Sequence, residues 1–184
     1  PRLNSSAASD VYKRQGLGKV KNIVYGVNDD KASPDDKMLA AASCTTNAIV
    51  PVLKVIDENY TIQSGHIETV HAYTNDQNLI DNYHPSDRRG RSAALNLVIT
   101  DTGAAKAVSQ IMPEMKGKLT ANAIRVPTPN VSLAIMNLNV KKSVSVEELN
   151  KCFREVAFHS KLKTTIDYTN AIDAVSSDFY SNEF

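Results

Sequence analysis

The chain has little cysteine, no tryptophan and no excess of charge of either sign. Its two cysteines allow at most one disulfide, which excludes a small fold held by several bridges and favours a reducing compartment. The 21 basic and 20 acidic residues give a formal net charge of +1, so there is no global attraction to nucleic acid or to an acidic membrane surface. No apolar run approaches the roughly 18 residues of a membrane span. We therefore expect a cytoplasmic protein whose partners are neither nucleic acid nor membrane.

The pattern of the first 43 residues indicates a tail followed by the end of a domain. Residues 1–15 are rich in Ser and Ala and lack a helical or strand period, so we expect a non-native or disordered tail. The apolar run at residues 23–27 is bounded by Asn and Asp and predicts a buried strand. We interpret residues 16–43 as the end of an α/β domain and residues 44–184 as a second domain that is truncated at its C-terminus.

The segments in between alternate between helical and strand patterns. Apolar residues recur at helical spacing after Cys44, although Pro51 must lie near the first turn or kink the helix. Ser145 and Glu148 predict a capping box ahead of another amphipathic helix. A third helix is predicted at "TGAAKAVSQIM", and strands at "HIETVHAY" and on both sides of the bend in "NAIRVPTPNVSLAIMNLNVKK". Because the order shows no regular βαβ rhythm, we predict an α+β fold with an antiparallel or mixed sheet and helices.

The stretch "AASCTTNAIVP" places Cys44 between two hydroxyl residues, Ser43 and Thr45, directly before a helical period. A helix N-terminus carries unpaired amides and the positive end of the helix dipole, so a thiol there gains thiolate character. This position favours a nucleophile. The alternative is a small buried hydrophobe, which is what most cysteines outside disulfides are.

A nucleophilic cysteine needs a base, and the sequence offers four histidines. Dipole compensation explains His159 near the end of a capped helix, and solvent exposure explains His66 at a strand start. His71 follows a predicted strand beside a polar cluster, where a loop would present it to a cleft. We favour His71 as the general base, with a hydrogen-bonded structural histidine as the alternative. No close pair of cysteines or histidines has the spacing of zinc ligands, so no metal site is predicted.

Six segments of the sequence resemble one enzyme family. They are "ASCTTNAIVP", "HAYTNDQNLID", "DRRGRSAALN", "TGAAKAV", "GKL" and "RVPTPNVS", which occur in the order and at the spacing of glyceraldehyde-3-phosphate dehydrogenase. The resemblance runs from about residue 23 to residue 179. It implies that residues 16–43 end a nucleotide-binding domain of Rossmann type and that residues 44–184 are most of the catalytic domain.

The resemblance implies the phosphorylating oxidation of glyceraldehyde 3-phosphate to 1,3-bisphosphoglycerate, in glycolysis or gluconeogenesis. Cys44 matches the nucleophile, which forms a hemithioacetal and then a thioester, and His71 matches the base. The remaining matched residues bind two anions: Thr74, Asp76 and Arg125 the substrate phosphate, and Ser43, Thr45, Thr102, Gly103 and Arg89 the inorganic phosphate. Because a carboxylate only accepts hydrogen bonds, we expect Asp76 to orient Arg125 or a hydroxyl rather than touch phosphate.

Each of these polar residues also has a structural interpretation that involves no phosphate. Thr102 and Gly103 would merely start a helix, Arg125 would pair with a carboxylate in a strand, and "DRRGR" would be a solvated loop. The matched order of the segments favours the functional reading. Within "DRRGR", Arg88 and Arg91 are neighbours that can exchange roles with Arg89.

The same resemblance implies a nicotinamide cofactor, NAD or NADP, whose binding residues are not identified. The stretch "QGLGKV" has two glycines but no third and no preceding strand, so it is not a dinucleotide fingerprint. Residues 73–96 resemble the family's long loop that lies across the cofactor site of a neighbouring subunit, which implies a homotetramer. The implied partners are a small phosphorylated aldehyde, inorganic phosphate and further copies of the chain, and this fragment alone is expected to be inactive.

Two positions depart from the family's pattern, and two other functions stay open. Ala41 stands where an asparagine is usual and Ala48 where a second cysteine is common, but neither is the nucleophile or the base. The sister activity on erythrose 4-phosphate shares the cysteine and the histidine, although "HAYTND" and "RVPTPN" look more like the triose enzyme. The alternative outside the enzymes is a truncated, catalytically silent domain that acts only in binding or assembly.

Overall fold

The computed structural model describes residues 20–180 and residue 182. The tail expected at residues 1–15 lies outside these residues. The described chain divides into two compact units. The first comprises the described residues up to Thr61, with Lys106–Lys116 and Lys142–Tyr168, and the second comprises Ile62–Ala105, Gly117–Lys141 and the described residues from Thr169 onward.

The helices and strands follow one another without a regular alternation. In chain order they are β1 (Lys21–Asn22), β2 (Leu39–Ala40), α1 (Cys44–Tyr60), β3 (Ile62–Ala72), β4 (Val98–Thr100), α2 (Ala104–Ile111), β5 (Leu119–Val126), β6 (Leu133–Val140) and α3 (Val146–His159). Helix α2 is divided between the units: its first two residues, Ala104 and Ala105, belong to the second unit, and its residues from Lys106 onward belong to the first. Within the described part of the chain, no helix has both the length and the apolar composition needed to cross a bilayer.

The strand predicted at residues 23–27 is wrong in its position. The strand is only Lys21–Asn22, paired in parallel with β2, and the chain turns directly after it. The side chain of Asn28 causes this turn, because its Oδ1 accepts the Val24 N–H at 2.7 Å and its Nδ2 donates to the Asn22 carbonyl at 3.0 Å. Gly26 occupies the turn with a φ of 77°, which an L side chain rarely adopts. The apolar run is buried at Val24 as predicted, but in a turn.

The helix predicted after Cys44 is confirmed and forms the centre of the first unit. Its side chains at Ile49, Val50 and Leu53 are completely buried. Pro51 is the eighth residue of α1, so of the two expected alternatives it is not in the first turn but inside the helix. Proline has no N–H, so the ladder of hydrogen bonds lacks one member at this point. The buried apolar face compensates for this loss and holds the helix in place.

The capping box predicted ahead of α3 is also confirmed. The Ser145 hydroxyl accepts the Glu148 N–H at 3.2 Å, and the Glu148 carboxylate accepts the Ser145 N–H at 2.9 Å. The apolar face of α3 and a segment that follows it join the first unit's core, which here contains Val27, Val52, Val55, Cys152, Phe153, Val156, Leu162 and Ile166. The first unit is therefore built from segments that lie far apart in the sequence.

The second unit contains a four-stranded mixed sheet in the order β4-β5-β3-β6. The central strand β3 runs parallel to β5 and antiparallel to β6, and β4 runs antiparallel to β5. The predicted α+β class with a mixed sheet is thus confirmed. The register pairs His71 with Arg125, and Arg125 in turn with Val98, so three strands carry one row of residues at this end of the sheet.

A glycine in β3 permits the close approach of neighbouring strands. A Cβ at Gly65 would lie 2.5 Å from Leu138 Cδ2 and 2.8 Å from the Asn137 carbonyl oxygen. Real Cβ atoms do not come so close to a backbone oxygen, so this position accepts only glycine without a shift of β6. Gly65 therefore sets the spacing of the sheet near the start of β3.

Candidate active site

Cys44 lies at the end of a short strand–turn–helix connection in the first unit. The strand β2 ends at Ala40, and α1 begins at Cys44 itself. Between them, Ala42 has a φ of 58°, in the left-handed region that costs roughly 1–2 kcal/mol for a residue with a Cβ. The thiol-bearing residue is exposed, and neither cysteine is in a disulfide. A strained turn of this kind is typical of a functional position because the surrounding contacts must hold it.

Side chains from the first turn of α1 hold this connection. The Ser43 hydroxyl caps the helix by accepting the Thr46 N–H at 3.2 Å, and it lies 2.7 Å from the Thr46 hydroxyl. The Asn47 amide donates to the carbonyl oxygens of Ala41 at 2.6 Å and Ser43 at 3.0 Å. These bonds fix Cys44 as the first helical residue, where the helix dipole favours an anion. An exposed cysteine at this position is not the small buried hydrophobe of the alternative interpretation.

The tautomer of His71 follows from its hydrogen bond in the second unit. The ring is buried, and its Nδ1 lies 2.6 Å from the carbonyl oxygen of Ala72. Because a carbonyl oxygen only accepts, the hydrogen of the neutral ring must be on Nδ1. Nε2 then carries the lone pair and is the nitrogen that can take a proton.

Arg125 lies beside this histidine on β5. Its Nη1 donates to the Ala72 carbonyl at 3.1 Å and to the Thr74 hydroxyl at 3.0 Å. Nη1 has two hydrogens, and these two acceptors use both, so its 3.1 Å separation from His71 Nδ1 is a close approach between two donors. The Arg125 guanidinium thus contacts the carbonyl that also binds His71. It also contacts the hydroxyl of Thr74, a residue expected to bind the substrate phosphate.

Asp76 connects Thr74 to Arg89. The Thr74 hydroxyl donates to the Asp76 carboxylate, which also receives Arg89 Nη1 at 2.5 Å. Burial acts to raise the pKa of Asp76, but the hydrogen bond from Thr74 and the charges of Arg125 and Arg89 hold it below its ordinary value. Asp76 is therefore ionised at neutral pH and orients a hydroxyl and a guanidinium, the kind of role expected for an acceptor.

The three arginines of "DRRGR" have different partners. Arg89 contacts Asp76, Arg91 pairs with Asp81 at 3.0 Å, and Arg88 donates to the Ile99 carbonyl at 3.5 Å. Arg89 alone of the three joins the row of residues that begins at His71. The structure therefore gives different contacts to three arginines that the sequence left interchangeable.

Thr100, which the sequence analysis did not single out, holds the other side of Arg89. The Arg89 Nε and Nη2 both donate to the Thr100 hydroxyl, at 3.2 and 3.0 Å. The two residues are 11 positions apart in a loop-to-strand connection, and no sequence pattern predicts such a contact. Two positions further along, the Thr102 hydroxyl accepts the Ala104 N–H at 3.2 Å at the start of α2. Gly103 is exposed, and a Cβ on it would meet no atom within 4 Å.

The expected site residues thus form three groups. The second unit joins His71, Arg125, Thr74, Asp76 and Arg89 in one continuous row of contacts, and it places Thr102 and Gly103 next to the strand that bears Thr100. Ser43, Cys44 and Thr45 are consecutive in the first unit. Among the residues that the structure describes, no group of three or more side chains is arranged to hold a metal ion.

The other histidines have structural partners. His66 lies 2.8 Å from the Thr120 hydroxyl and 2.6 Å from Asn122 Oδ1. His84 bonds the backbone of Ser86 within its loop, and His159 is exposed on α3. None of them joins the row of residues around Arg125.

Comparison with known proteins identifies the family to which these residues belong. A family model for the C-terminal domain of glyceraldehyde 3-phosphate dehydrogenase matches residues 43–184. A glyceraldehyde-3-phosphate dehydrogenase-like protein of Pseudomonas aeruginosa is 59% identical over 164 residues, which cover 89% of this chain and 36% of the relative.

Two further relatives carry the enzyme's name. The chloroplastic glyceraldehyde-3-phosphate dehydrogenase A of Zea mays is 49% identical over 155 residues, which are 84% of this chain and 38% of the relative. The glyceraldehyde-3-phosphate dehydrogenase of Mycobacterium leprae is 47% identical over 160 residues, which are 87% of this chain and 47% of the relative. The chain thus spans between about a third and a half of the length of these relatives. Since the family model covers more than half of the chain, the chain belongs to the glyceraldehyde-3-phosphate dehydrogenase family.

Proposed function

We propose that the complete protein oxidises glyceraldehyde 3-phosphate to 1,3-bisphosphoglycerate, with Cys44 as nucleophile and His71 as base. The observation that carries this proposal is the position of Arg125, whose Nη1 contacts both the Ala72 carbonyl that orients His71 and the Thr74 hydroxyl. A proton acceptor and an anion-binding group therefore lie side by side. An aldehyde that carries a phosphate at its other end needs both.

The covalent step uses the chemistry of a thiol at a helix N-terminus. The Cys44 sulfur bonds to the aldehyde carbon, His71 Nε2 takes the thiol proton, and the carbonyl oxygen becomes the oxyanion that the protonated ring stabilises. Loss of a hydride from the resulting hemithioacetal leaves a thioester on Cys44. Inorganic phosphate then attacks the thioester carbon, the carbon–sulfur bond breaks, and an acyl phosphate leaves with the thiolate restored.

Two anions take part in this sequence, and two groups of residues support their binding. Thr74, Asp76 and Arg125 are proposed for the phosphate of the aldehyde, with Asp76 as the residue that orients its neighbours. Ser43, Thr45, Thr102, Gly103 and Arg89 are proposed for the attacking phosphate. Hydroxyls and a planar guanidinium suit the oxygens of phosphate, because both donate hydrogen bonds and the guanidinium also carries the opposite charge.

A nicotinamide cofactor, NAD or NADP, would accept the hydride when it is bound. In residues 20–180 and 182, no strand is followed by a glycine-rich turn and a helix in the dinucleotide-binding pattern, so none of these residues is assigned to the cofactor. In keeping with this, residues 16–43 are proposed as the end of the nucleotide-binding domain and residues 44–184 as catalytic domain. This chain by itself is proposed to be inactive.

A homotetramer is part of the proposal. Its support is the loop at residues 73–96, which exposes Leu79, Ile80, Tyr83 and Leu95 by 66% to 86%. Several large, exposed apolar side chains within one loop are suited to contact with another protein.

Substitution of the nucleophile and the base in the complete protein tests the proposal. Cys44→Ser should abolish formation of reduced cofactor, whereas Cys152→Ser, which removes a half-buried thiol on α3, should leave it intact. His71→Asn keeps a donor for the Ala72 carbonyl but removes the base, and should lower kcat by about 10²–10⁴-fold. Retained turnover in Cys44→Ser would remove Cys44 from the mechanism.

The substrate is tested by rates on both aldehydes. The proposal expects a higher kcat/KM on glyceraldehyde 3-phosphate than on erythrose 4-phosphate. The reverse order would favour the sister activity, and no oxidation of either aldehyde would favour a silent binding or assembly module.

A further inference from the structure

We infer that Thr100 is a positioning residue that holds Arg89 in the orientation in which it binds the attacking phosphate. The inference rests on the proposed function and adds to it a residue that the family's motifs did not single out. It is carried by the contacts of one guanidinium with two side chains.

The Thr100 hydroxyl occupies one whole edge of that guanidinium. Nε and Nη2 of Arg89 both donate to it, at 3.2 and 3.0 Å, so a single oxygen fixes the plane and the direction of the group. The hydroxyl hydrogen itself is directed to the Asp101 carbonyl at 3.4 Å. Thr100 is the last residue of β4 and pairs with Ala123 in the sheet, so the oxygen is attached to a rigid element.

Asp76 holds the same guanidinium from another side, through Nη1 at 2.5 Å. Arginine has five N–H groups, and these contacts use three of them. The remaining two are one hydrogen on each terminal nitrogen, and the Arg89 side chain is 26% exposed. These two N–H groups, one on each terminal nitrogen, are left to donate to oxygens of a phosphate.

The place of Thr100 in the chain indicates which anion is concerned. It precedes Thr102 and Gly103 by two and three positions, and these residues are proposed for inorganic phosphate. Without the Thr100 hydroxyl, Arg89 would keep only its ion pair with Asp76. The guanidinium would then rotate about that contact and present its free N–H groups in many directions, which weakens phosphate binding without touching the thiol.

The opposing interpretation is that Thr100 only ties the loop at residues 73–96 to β4. In that case, loss of the hydroxyl would lower stability and would change the constants for aldehyde and phosphate alike. A positioning role predicts that only the phosphate-dependent half-reaction is impaired, because formation of the thioester requires no inorganic phosphate.

The experiment compares Thr100→Val and Thr100→Ser in the complete protein. Thr100→Val should raise KM for inorganic phosphate about tenfold, the scale of one lost hydrogen bond to a charged group. The burst of reduced cofactor in the absence of phosphate should keep its rate within about twofold of the parent. Thr100→Ser keeps the hydroxyl and should restore KM for phosphate to within about twofold of the parent.

Two further variants guard against a general effect on folding. Thr120→Val removes another strand hydroxyl, one that contacts His66, and should leave KM for phosphate unchanged. Thr100→Ala provides a second hydroxyl-free side chain if Thr100→Val fails to fold. An unchanged KM for phosphate in Thr100→Val or Thr100→Ala, or an equal loss in Thr100→Ser, overturns the inference.

Failure of the proposed function gives a different result. A parent protein without any phosphate-dependent turnover would overturn the proposed function, and the role of Thr100 with it. A parent with phosphate-dependent turnover and a Thr100→Val variant whose burst and KM change together would overturn the role of Thr100 alone.

Discussion

At the scale of single residues, Asp76 is the acidic member of the expected binding residues. It accepts from Thr74 and Arg89 and lies within the field of Arg125. An acidic side chain in an anion-binding region would repel phosphate if it faced the ligand. Asp76 instead neutralises part of the charge of Arg89 and Arg125, and its contact with Arg89 fixes the direction of that guanidinium. Asp76 is thus a residue that acts through its neighbours.

Replacement of Asp76 by asparagine tests this role. In Asp76→Asn the ion pair with Arg89 is lost and the bond from Thr74 is weakened, so we expect KM for the phosphorylated aldehyde to rise about tenfold or more. Steady-state kinetics of the complete protein measure this KM. Asp81→Asn is the matched control, because Asp81 pairs with Arg91 in the same loop and should leave this KM unchanged. Equal effects of the two variants would contradict the role.

The lowered pKa of Asp76 also predicts how its contribution to stability depends on pH. The carboxylate is ionised more readily in the folded chain than in the unfolded chain, whose aspartates titrate near a pKa of about 3.9. Its stabilising contribution is therefore fully present above about pH 5 and is lost as the pH falls through the folded pKa, below about 4. Urea midpoints of the parent and Asp76→Asn should differ by a constant amount from pH 8 to pH 5 and converge below pH 4. A difference that grows as the pH falls would contradict the lowered pKa.

How much of the site is predictable at this scale depends on sequence distance. The proposed roles of Cys44 and His71 rest on short contiguous segments, which can be recognised one by one. The contacts of Arg89 with Asp76 and Thr100 span 13 and 11 positions and depend on how the chain folds between these residues. The spacing of residues along the chain contains no information about that neighbourhood.

At the scale of elements, the two capped helices offer a matched pair of experiments. Ser43 and Ser145 each accept a backbone N–H at 3.2 Å, from Thr46 and Glu148. Replacement by alanine should cost about 1 kcal/mol in the free energy of unfolding at either cap. Only Ser43→Ala should also raise KM for inorganic phosphate, because Ser43 is proposed to bind it. Denaturant unfolding measures the loss of stability in both variants, and steady-state kinetics measure their KM for inorganic phosphate. An unchanged KM in Ser43→Ala would exclude Ser43 from the phosphate site.

The glycine in β3 gives a second prediction at this scale. Gly65→Ala places a Cβ 2.8 Å from the Asn137 carbonyl oxygen, so the two strands must separate or shift, at a cost of about 1–3 kcal/mol. Gly103→Ala is the control for stability, because a Cβ there meets nothing within 4 Å. Thermal unfolding should show a lower midpoint for the first variant alone. Equal midpoints would show that β6 adjusts without cost.

The elements that could be predicted from the sequence are those indicated by a short stretch of residues. The helix after Ser145 follows from a capping box and an apolar face, and both are properties of a short stretch. The strand at residues 23–27 was misplaced because Asn28 bonds Val24 and Asn22 and bends the chain. An apolar run looks the same in a strand and in a buried turn. Only the side chain that closes the turn distinguishes them.

At the scale of the whole molecule, the two units are assembled from segments that are far apart in the sequence. Asp29 and Lys161, for example, form an ion pair at 3.0 Å across 132 positions, and each shifts the pKa of the other toward the charged form. The sequence indicated the α+β class through the order of elements. It did not indicate this division, because the first unit takes three separate segments and no linker of unusual composition marks the boundaries.

The central claim is that Cys44 carries the acyl group during turnover. The direct measurement is peptide mass spectrometry of the complete protein, mixed with cofactor and glyceraldehyde 3-phosphate without inorganic phosphate and quenched in acid. We predict the acyl mass on the tryptic peptide of residues 38–54, which contains Cys44, and its loss when phosphate is added before the quench. An acyl mass on residues 152–154, which contain Cys152, or no acyl mass on any peptide, would contradict the account.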